Sequence, residues 1–392
     1  MRALVVEPTE VLAVAEDIAR AELCAFDLEF LAQDRLVPTL CLIQIAHGAL
    51  DARSEPTVSL VDPMATDAGP VIRAIAAHAC PVAHAPRQDL QILAAAFGVS
   101  VPRIRDTQVM AAFAGLGDQL GLATVARETI GRSLGKEQQW TDWARRPLSD
   151  AQLAYAADDV RYLPAIHARL VERLGARLPW ACEESAVIGA EAEAAARVTA
   201  ATAWEQLGGT RGIDAETLSA VIALAAWRWE TAHATDKPLG WVLGEKQILE
   251  LAKTRPLAAA GVRALKGLPV IAKERAAEIA EVIAARQPAE APVRPSTRAP
   301  GARAQRWAEQ LLAIVQLVAE STGVAARLLA TRADAEAFAR TVDEGAPTDA
   351  LPAMSTWRRA LLGETWLDWL AGRLALAGDP TSAQGVKLVK AL

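Results

Sequence analysis

The chain has 392 residues, of which 52% are hydrophobic, and a formal net charge of -6 at pH 7. Its length predicts about two or three domains. The acidic balance argues against a protein that coats nucleic acid through bulk positive charge, but it is compatible with a nuclease whose metal centre is rich in carboxylates. The sequence has no apolar run long enough to span a membrane, and its first thirty residues are too acidic for a signal peptide. We therefore expect a cytoplasmic protein that makes no contact with a membrane.

The first 175 residues have the pattern of an α/β layer. Short strand-like runs separated by polar turns predict a meander of three strands, and after Pro70 helices and strands alternate. The strands are predicted at 23–30, 39–46, 58–62 and 81–85, and the helices at 71–79, 87–98, 107–115, 120–132 and 149–173. Three strands followed by alternating helices and strands indicate a mixed central sheet.

Strand signals end near residue 174, and the remainder of the chain has helical periodicity. An alanine- and glutamate-rich helix is predicted at 183–203, and it leads into a helical segment that runs to about Arg286. The proline-rich stretch QPAEAPVRPSTRAPGARAQ contains almost no bulky apolar residue and predicts a linker. We therefore divide the chain into an α/β domain at 1–180, two all-helical domains at 204–287 and 305–392, and a linker at 288–304.

Two carboxylates in LCAFDLEF fall in an otherwise apolar strand. Because side chains alternate along a strand, Asp27 and Glu29 point to one face, and Leu28 between them points into packing on the other. An unpaired charge in such a strand is costly, so a cation should compensate the two carboxylates. The strand itself contains no basic residue, which leaves an arginine, a lysine or a metal ion from elsewhere as candidates.

Two further carboxylates lie in predicted helices. Asp89 stands in RQDLQIL, where it would also suit a first helical turn that the helix dipole favours. Tyr155 and Asp159 are four positions apart and share one helix face, whereas Asp158 is turned away. Ordinary amphipathic packing is the alternative for Tyr155, but the chain has only two tyrosines. A tyrosine at this spacing from an aspartate therefore favours a shared site.

The stretches that carry these residues resemble the motifs of a known superfamily. FDLEF, HAPRQDLQIL and YAADD resemble the three motifs of the DEDD exonucleases, in the subgroup whose third motif is Y-x-x-x-D. LCLIQIA, RDTQ and WARRPLSDAQLAYAADDVRYL are similar to the ribonuclease D family, and the resemblance covers essentially residues 1–175. Ala154 stands where proofreading-type relatives carry a histidine, and Leu28 where many ribonuclease D sequences carry a threonine.

The resemblance implies both a fold and a mechanism. The fold would be a ribonuclease H-like α/β exonuclease domain with a mixed central sheet, followed by two all-α HRDC-like domains. Two divalent ions, Mg²⁺ or Mn²⁺, would be held by the carboxylates of Asp27, Glu29, Asp89 and Asp159. By analogy Asp27 would bridge the ions, Glu29 and Asp159 would bind the ion on the nucleophile side, and Asp89 would serve the other. Tyr155 would orient the attacking water, since a phenol rarely ionises near neutral pH.

The activity implied by the resemblance is that of a 3′-to-5′ exoribonuclease that hydrolyses phosphodiester bonds at RNA 3′ ends and releases nucleoside 5′-monophosphates. The implied substrate is RNA, with tRNA precursors favoured. A DNA-directed 3′-to-5′ exonuclease could use the same site, because contacts to the 2′-hydroxyl distinguish RNA from DNA and the sequence does not reveal them. A non-catalytic nucleic-acid-binding adaptor is a third hypothesis, but its expected signature, a lost carboxylate, is not found.

Several neighbouring residues are weaker candidates for substrate contacts, and each has a structural alternative. Phe30 could stack on the terminal base or pack in the core, and His84 could approach a phosphate or end a buried strand. Lys136, Arg145 and Arg146 could follow the phosphate backbone or belong to a solvated loop. Asp106 is expected to cap the helix that begins in RDTQ.

The helical half resembles the family as well. The segment DKPLGWVLGEKQILELA is similar to the HRDC domain that RecQ-type helicases share with ribonuclease D. GVAARLLATRADAEAFA and MSTWRRALLGETWLDWLAG resemble, more loosely, a second HRDC-like module. The family role would be to hold the body of a structured RNA, with plain helical packing as the alternative. The sequence does not give the oligomeric state, and we expect a monomer.

Overall fold

The computed structural model describes residues 4–49, 54–135, 141–210, 212–288 and 301–391. A six-stranded mixed sheet forms the centre of the first domain, in the order β1-β4-β3-β2-β5-β6. Its strands are β1 (Leu4–Val5), β2 (Leu23–Leu31), β3 (Thr39–Gly48), β4 (Thr57–Val61), β5 (Pro81–Ala83) and β6 (Arg105–Asp106). Strands β2, β3 and β4 form the predicted antiparallel meander, while β1 pairs parallel to β4, and β5 and β6 extend the sheet in parallel beyond β2.

Helices cover both faces of the sheet. They are α1 (Pro8–Arg20), α2 (Gly69–Ala77), α3 (Arg87–Phe97), α4 (Thr107–Phe113), α5 (Leu122–Ile130), α6 (Asp150–Arg161), α7 (Leu163–Leu174) and α8 (Leu178–Ala196). The apolar residues of α1, α2 and α3 pack against one face, and those of α6 and the start of α7 against the other. Strand β2 lies between β3 and β5, so it is paired along both edges. Helices also cover it on both faces.

The structure confirms most of the predicted elements and corrects some bounds. The helix predicted at 149–173 is two helices, because α6 ends at Arg161 and Pro164, which has no amide hydrogen to donate, opens α7. The helix predicted at 183–203 begins earlier and ends earlier, at Leu178–Ala196. Strands β1 and β6 and helix α1 were not predicted. β1 and β6 are two residues long, too short to carry a periodic signal.

A second unit follows α8 and has its own apolar core. Its helices are α9 (Ala215–Thr235), α10 (Leu239–Val242), α11 (Glu245–Thr254), α12 (Ala259–Arg263), α13 (Val270–Glu274) and α14 (Ala276–Ala284). The unit meets the first domain at the loop between β2 and β3. There Arg35 Nε donates to Asp236 Oδ2 at 2.8 Å, and Leu36 packs against the core of the helical unit.

The C-terminal unit is helical, as predicted, with one addition. Its helices are α15 (Ala302–Thr322), α16 (Ala326–Leu329), α17 (Arg332–Asp343), α18 (Thr356–Arg358) and α19 (Glu364–Leu370), with a π-helical turn at Arg359–Gly363. An antiparallel hairpin of β7 (Leu374–Gly378) and β8 (Val386–Lys390) follows them. The prediction of an all-α unit missed this hairpin, although the two valines of VKLVK are of a residue type that strands favour.

One apolar core joins the C-terminal unit to the first domain. Buried residues of α4, α5 and α7 belong to the same cluster as those of α15, α17 and α19. The rings of Phe113 and Trp357 meet edge-on with centroids 4.9 Å apart, and Trp180 stacks on Trp357 at 6.0 Å. The Arg358 guanidinium donates to Glu184 of α8 at 2.7 Å. The first domain therefore depends on the C-terminal unit for part of its apolar core.

Most of the linker predicted at 288–304 lies outside the described residues. Among the helices that the structure does describe, none is by itself long and apolar enough to cross a membrane. Only Ala302–Thr322 and Ala326–Asp343 taken together satisfy such a test of length and composition, and they are bent by 117°.

Candidate active site

Strand β2 carries Asp27 and Glu29 on the face of the sheet that α6 covers. Residues of the same parity, Leu23 and Ala25, belong to the apolar cluster under α6, whereas Leu28 belongs to the cluster on the opposite face. The predicted alternation is therefore confirmed. The register with β3 shifts just after Glu29, so the ladder is regular through both carboxylates and irregular beyond them.

Helix α6 brings the second pair of polar side chains to the same face. Ser149 and Gln152 form a capping box that sets where the helix begins. One carboxylate oxygen from each of Asp27, Glu29 and Asp159 lies within 4.8 Å of the other two. Asp158, by contrast, forms an ion pair with Arg161 at 3.3 Å. The i,i+4 rule thus correctly separated Asp159 from its neighbour.

Burial and mutual repulsion raise the pKa values of these carboxyl groups. Burial raises the pKa of Asp27 to about 7. Burial and then the charges of Asp27 and Asp159 raise the pKa of Glu29 to about 9. For Asp159, burial and the charge of Asp27 raise the pKa to about 8, against a hydrogen bond from Tyr155 that lowers it. Three acids this close cannot all ionise cheaply without a neighbouring positive charge.

Asp89 lies in the first turn of α3 and is buried. Burial is the main cause that raises its pKa well above the usual range, followed by the charges of Asp27, Glu29 and Asp106. Asp89 therefore faces the same electrostatic environment as the three clustered carboxylates. It lies outside the group of three whose oxygens meet within 4.8 Å.

The donor set fits divalent metal ions. Within the described ranges, no ion pair joins Asp27, Glu29, Asp89 or Asp159 to a lysine or arginine, so no described basic side chain neutralises them. All ligand atoms on offer are carboxylate oxygens, which hard cations such as Mg²⁺ and Mn²⁺ prefer and which a zinc site rarely uses alone. The arrangement can hold cations and present them to a phosphodiester.

Tyr155 is half-buried beside the acidic cluster. Its hydroxyl donates a hydrogen bond to Asp159, and the Trp143 ring lies 6.3 Å from its ring. Burial, followed by the charges of Asp159, Glu29 and Asp27, raises the pKa of Tyr155. The phenol is therefore neutral near pH 7 and can orient a water by hydrogen bonding, but it cannot act as a base.

The structure supports the packing alternatives for Phe30 and His84. Phe30 packs against the apolar cluster on the face opposite the carboxylates. His84 has both ring nitrogens engaged, with Leu120 O at 3.0 Å from Nε2 and Thr107 Oγ1 at 2.9 Å from Nδ1. Burial lowers the pKa of His84 to about 4, so the ring is neutral and serves to brace the loop before α5.

The three basic residues predicted to contact phosphate differ in their surroundings. Arg145 is exposed, as a phosphate contact requires, and Lys136 lies outside the described residues. Arg146 is engaged within the protein. Its Nε and Nη2 donate to the two carboxylate oxygens of Asp62 at 2.7 Å each, and its other hydrogen bonds go to the backbone carbonyls of Trp143, Arg145 and Cys41. These contacts favour a structural role for Arg146, because the buried carboxylate of Asp62 already pairs with its guanidinium, and the phosphate contact stays a prediction.

Asp106 is a buried carboxylate whose wider role the sequence only partly predicted. It caps α4 by accepting from Gln108 N at 2.8 Å, as expected, and it also accepts from Ala85 N at 2.9 Å. Ala85 has a positive φ of 52° in the turn that leads into α3. Asp106 therefore fixes the turn that positions Asp89.

Comparison with known proteins agrees with this fold and site. A family model described as a 3′-5′ exonuclease matches residues 4–175, and an HRDC domain model matches residues 218–283. The latter lies within the range of 204–287 predicted from the sequence. The class of protein that the fold and acidic site define is therefore a 3′-to-5′ exonuclease joined to an HRDC domain.

Relatives over the full length narrow the assignment. Ribonuclease D from Acidiphilium cryptum is 36% identical, with 98% of this chain and 97% of the relative covered, and ribonuclease D from Granulibacter bethesdensis is 32% identical, with 96% and 94% covered. The crystal structure of Escherichia coli RNase D, an exoribonuclease involved in structured RNA processing, superposes with a TM-score of 0.80 at 25% identity, covering 95% of this chain and 99% of that chain. The chain belongs to the ribonuclease D family. It is a 3′-to-5′ exoribonuclease, a hydrolase with a nucleic acid as its partner.

Proposed function

We propose that this exoribonuclease removes nucleotides one at a time from the 3′ ends of tRNA precursors, using two divalent cations, Mg²⁺ or Mn²⁺. One observation supports the two-cation site. Asp27, Glu29 and Asp159 are held together in a half-buried cluster whose charge no described lysine or arginine neutralises. Such a cluster is unfavourable for folding alone and becomes favourable when cations bind.

The four carboxylates would bind different cations according to their positions. Asp27 belongs to the cluster with Glu29 and Asp159, and its charge acts on Asp89 more strongly than that of Glu29, so Asp27 would be the carboxylate suited to serve both cations. Glu29 and Asp159 complete one half of the site, and Asp89 the other. When bound, such cations activate water and stabilise the charge that develops on the phosphoryl and leaving oxygens. The chain's own residues then fix the RNA end and the water relative to each other.

Tyr155 would orient the attacking water. Its hydroxyl already donates to Asp159, and the same oxygen offers lone pairs to a water on the open side of the cluster. The leaving group is the 3′ oxygen of the penultimate nucleotide, and the product is a nucleoside 5′-monophosphate. A role in positioning suits the raised pKa of this phenol.

The helical units would select the RNA. Relatives of this family include an exoribonuclease involved in structured RNA processing, which supports a structured substrate here. The HRDC unit contacts the loop between β2 and β3, close along the chain to Glu29, through Arg35 and Asp236. Such a unit can bind the body of a tRNA precursor while its 3′ tail reaches the carboxylates. We keep 1–180, 204–287 and 305–392 as the proposed domain limits, and a cytoplasmic monomer as the proposed state.

The test is a time course on RNA labelled at either end, with Mg²⁺, with Mn²⁺ and with chelator. We expect 5′-labelled RNA to shorten one nucleotide at a time, 3′-labelled RNA to release mononucleotide at once, and chelator to stop both. Internal cuts, or activity that survives chelation, would refute the mechanism. Matched DNA oligonucleotides test the alternative of a DNA-directed enzyme, which predicts equal or faster loss of DNA.

Adjacent residues of α6 supply a matched pair of variants. Asp159→Asn should abolish turnover, because it removes a cluster carboxylate, whereas Asp158→Asn should leave turnover close to wild type, because Asp158 pairs with Arg161. Equal loss in both variants would indicate damage to the helix rather than to the site. For substrate choice, a tRNA precursor with a 3′ trailer is compared with an unstructured RNA of equal length. Equal kcat/KM for the two RNAs would contradict a preference for tRNA.

A further inference from the structure

Gln44 is a buried polar residue that the catalytic scheme above does not use. It lies on β3 and has 0% exposure, and neither its side-chain nitrogen nor its oxygen has a hydrogen-bond partner among the described residues. Burying an unpaired amide disfavours folding, and an apolar side chain of the same length would fit such a place without that cost. The amide is therefore not explained by the stability of the fold.

The register of the sheet gives Gln44 a specific neighbour. Gln44 is directly opposite Asp27 in the antiparallel pair of β2 and β3. Residues paired in this way project to the same face with Cβ atoms about 4.5–5.5 Å apart. The amide and the carboxylate are then within reach of each other through side-chain rotation alone, without movement of the backbone.

The nearest neighbours of Gln44 along β3 on this face, and the residue directly opposite it on β4, are apolar. Leu42 and Ala46, two residues away on each side along β3, and Leu60, opposite it on β4, are all buried members of the cluster under α6. They offer no hydrogen bond to the amide. Asp27 is thus the polar group that the sheet places directly against Gln44.

We propose that Gln44 is a positioning residue for the active site, whose amide N–H donates to the Asp27 carboxylate in the cation-loaded enzyme and holds it in one orientation. This inference rests on the proposed two-cation site. Donors that hold a ligating carboxylate typically change metal affinity or activity by about 10- to 100-fold when they are removed. The unfavourable burial of the amide in the metal-free protein would then be offset only when cations bind.

The experiment compares the full-length wild type with Gln44→Met and with the control Leu60→Met. Methionine is unbranched and close to glutamine in length, and Leu60→Met places the same side chain in the same apolar layer on the side of Gln44 away from Asp27. Three quantities are measured for each protein: the urea midpoint of unfolding in chelator, the affinity for Mn²⁺ by calorimetry, and kcat and KM on an RNA oligonucleotide.

For Gln44→Met we expect an unfolding midpoint in chelator equal to or above that of wild type. Its Mn²⁺ affinity should fall by roughly 10- to 100-fold, and kcat should fall with KM for RNA unchanged. The Leu60→Met control should keep wild-type Mn²⁺ affinity. A lower midpoint for Gln44→Met in chelator, beyond that of the control, would mean that the amide has a structural role and would overturn the proposal.

Unchanged Mn²⁺ affinity in Gln44→Met would overturn it as well, whatever happens to turnover. The proposed function fails in a different way. Wild-type protein that bound neither Mn²⁺ nor Mg²⁺ would refute the two-cation site and this inference together, whereas a wild type that binds cations and a Gln44→Met that binds them equally well refutes only the role of Gln44.

Discussion

Metal binding to this protein should release protons, and the number released follows from the carboxyl pKa values. In the metal-free protein the pKa is about 7 for Asp27, about 8 for Asp159 and about 9 for Glu29. At pH 7, Glu29 and Asp159 are then almost fully protonated and Asp27 is about half protonated, so these three of the four carboxyl groups alone hold more than about two protons. Cations bind the ionised carboxylates, and loading at pH 7 should expel those protons.

The sign of the pH dependence is fixed by the same values. Because protons compete with cations, apparent metal affinity should rise with pH, by at least about two powers of ten per unit near pH 7 and less steeply near pH 9. In the metal-free protein the raised pKa values mean that the folded state binds more protons than the unfolded state between about pH 4 and pH 9. Its stability should therefore fall as pH rises through that window, and saturating Mg²⁺ should remove most of the fall.

Calorimetric titration with Mn²⁺ in two buffers of different ionisation enthalpy measures the protons released at each pH. Glu29→Gln removes a carboxyl group that is protonated at pH 7, with a pKa of about 9, and should reduce the release at that pH by about one proton. Asp158→Asn, on the solvent side of α6, should change it far less, because the charge of Asp158 is the smallest of the causes that raise the pKa of Asp159. Cation binding without proton release at pH 7 would show that the carboxylates are already ionised. The reasoning about an unneutralised cluster would then be wrong.

Three further substitutions test other parts of the structure. Tyr155→Phe should lower kcat by on the order of 100-fold and leave Mn²⁺ affinity nearly unchanged, so an unaltered rate would remove the role assigned to the phenol. Trp357→Ala empties a buried position against Phe113 and should lower the free energy of unfolding by about 3–5 kcal/mol, measured by denaturant and contradicted by an unchanged midpoint. Arg146→Met leaves the buried Asp62 unpaired and should cost about 3 kcal/mol of stability, while RNA affinity at a permissive temperature should stay at wild-type level if Arg146 is not a phosphate contact.

The sequence was sufficient for the parts of the site that local geometry determines. Alternation along a strand places Asp27 and Glu29 on one face, and the helical repeat places Tyr155 with Asp159 and turns Asp158 outward. Each of these relations spans five residues or fewer and lies within one regular element. Three of the carboxylates come together only in the tertiary structure, where β2 supplies two of them and α6 the third. The resemblance to exonuclease motifs predicted this grouping, and local geometry alone could not.

The contacts that the sequence could not give join residues far apart along the chain. Asp62 and Arg146 are 84 positions apart, and nothing in the sequence around either residue pairs it with the other. Gln44 reads as one polar residue in an apolar strand, and only the register with β2 sets it against Asp27. Periodicity describes which face a residue takes within its own element, but not which element covers that face.

The two helical units are coupled to the catalytic domain in different ways, and the difference bears on what each can do. The HRDC unit has its own apolar core and meets the β2–β3 loop mainly through exposed polar contacts such as Arg35 with Asp236, which are worth little in free energy. The C-terminal unit shares a core with α4, α5 and α7, and α7 directly follows the helix that carries Asp159. Changes in the HRDC unit should therefore alter RNA binding with little effect on catalysis of a short substrate. Changes in the shared core should instead reduce stability and catalysis together.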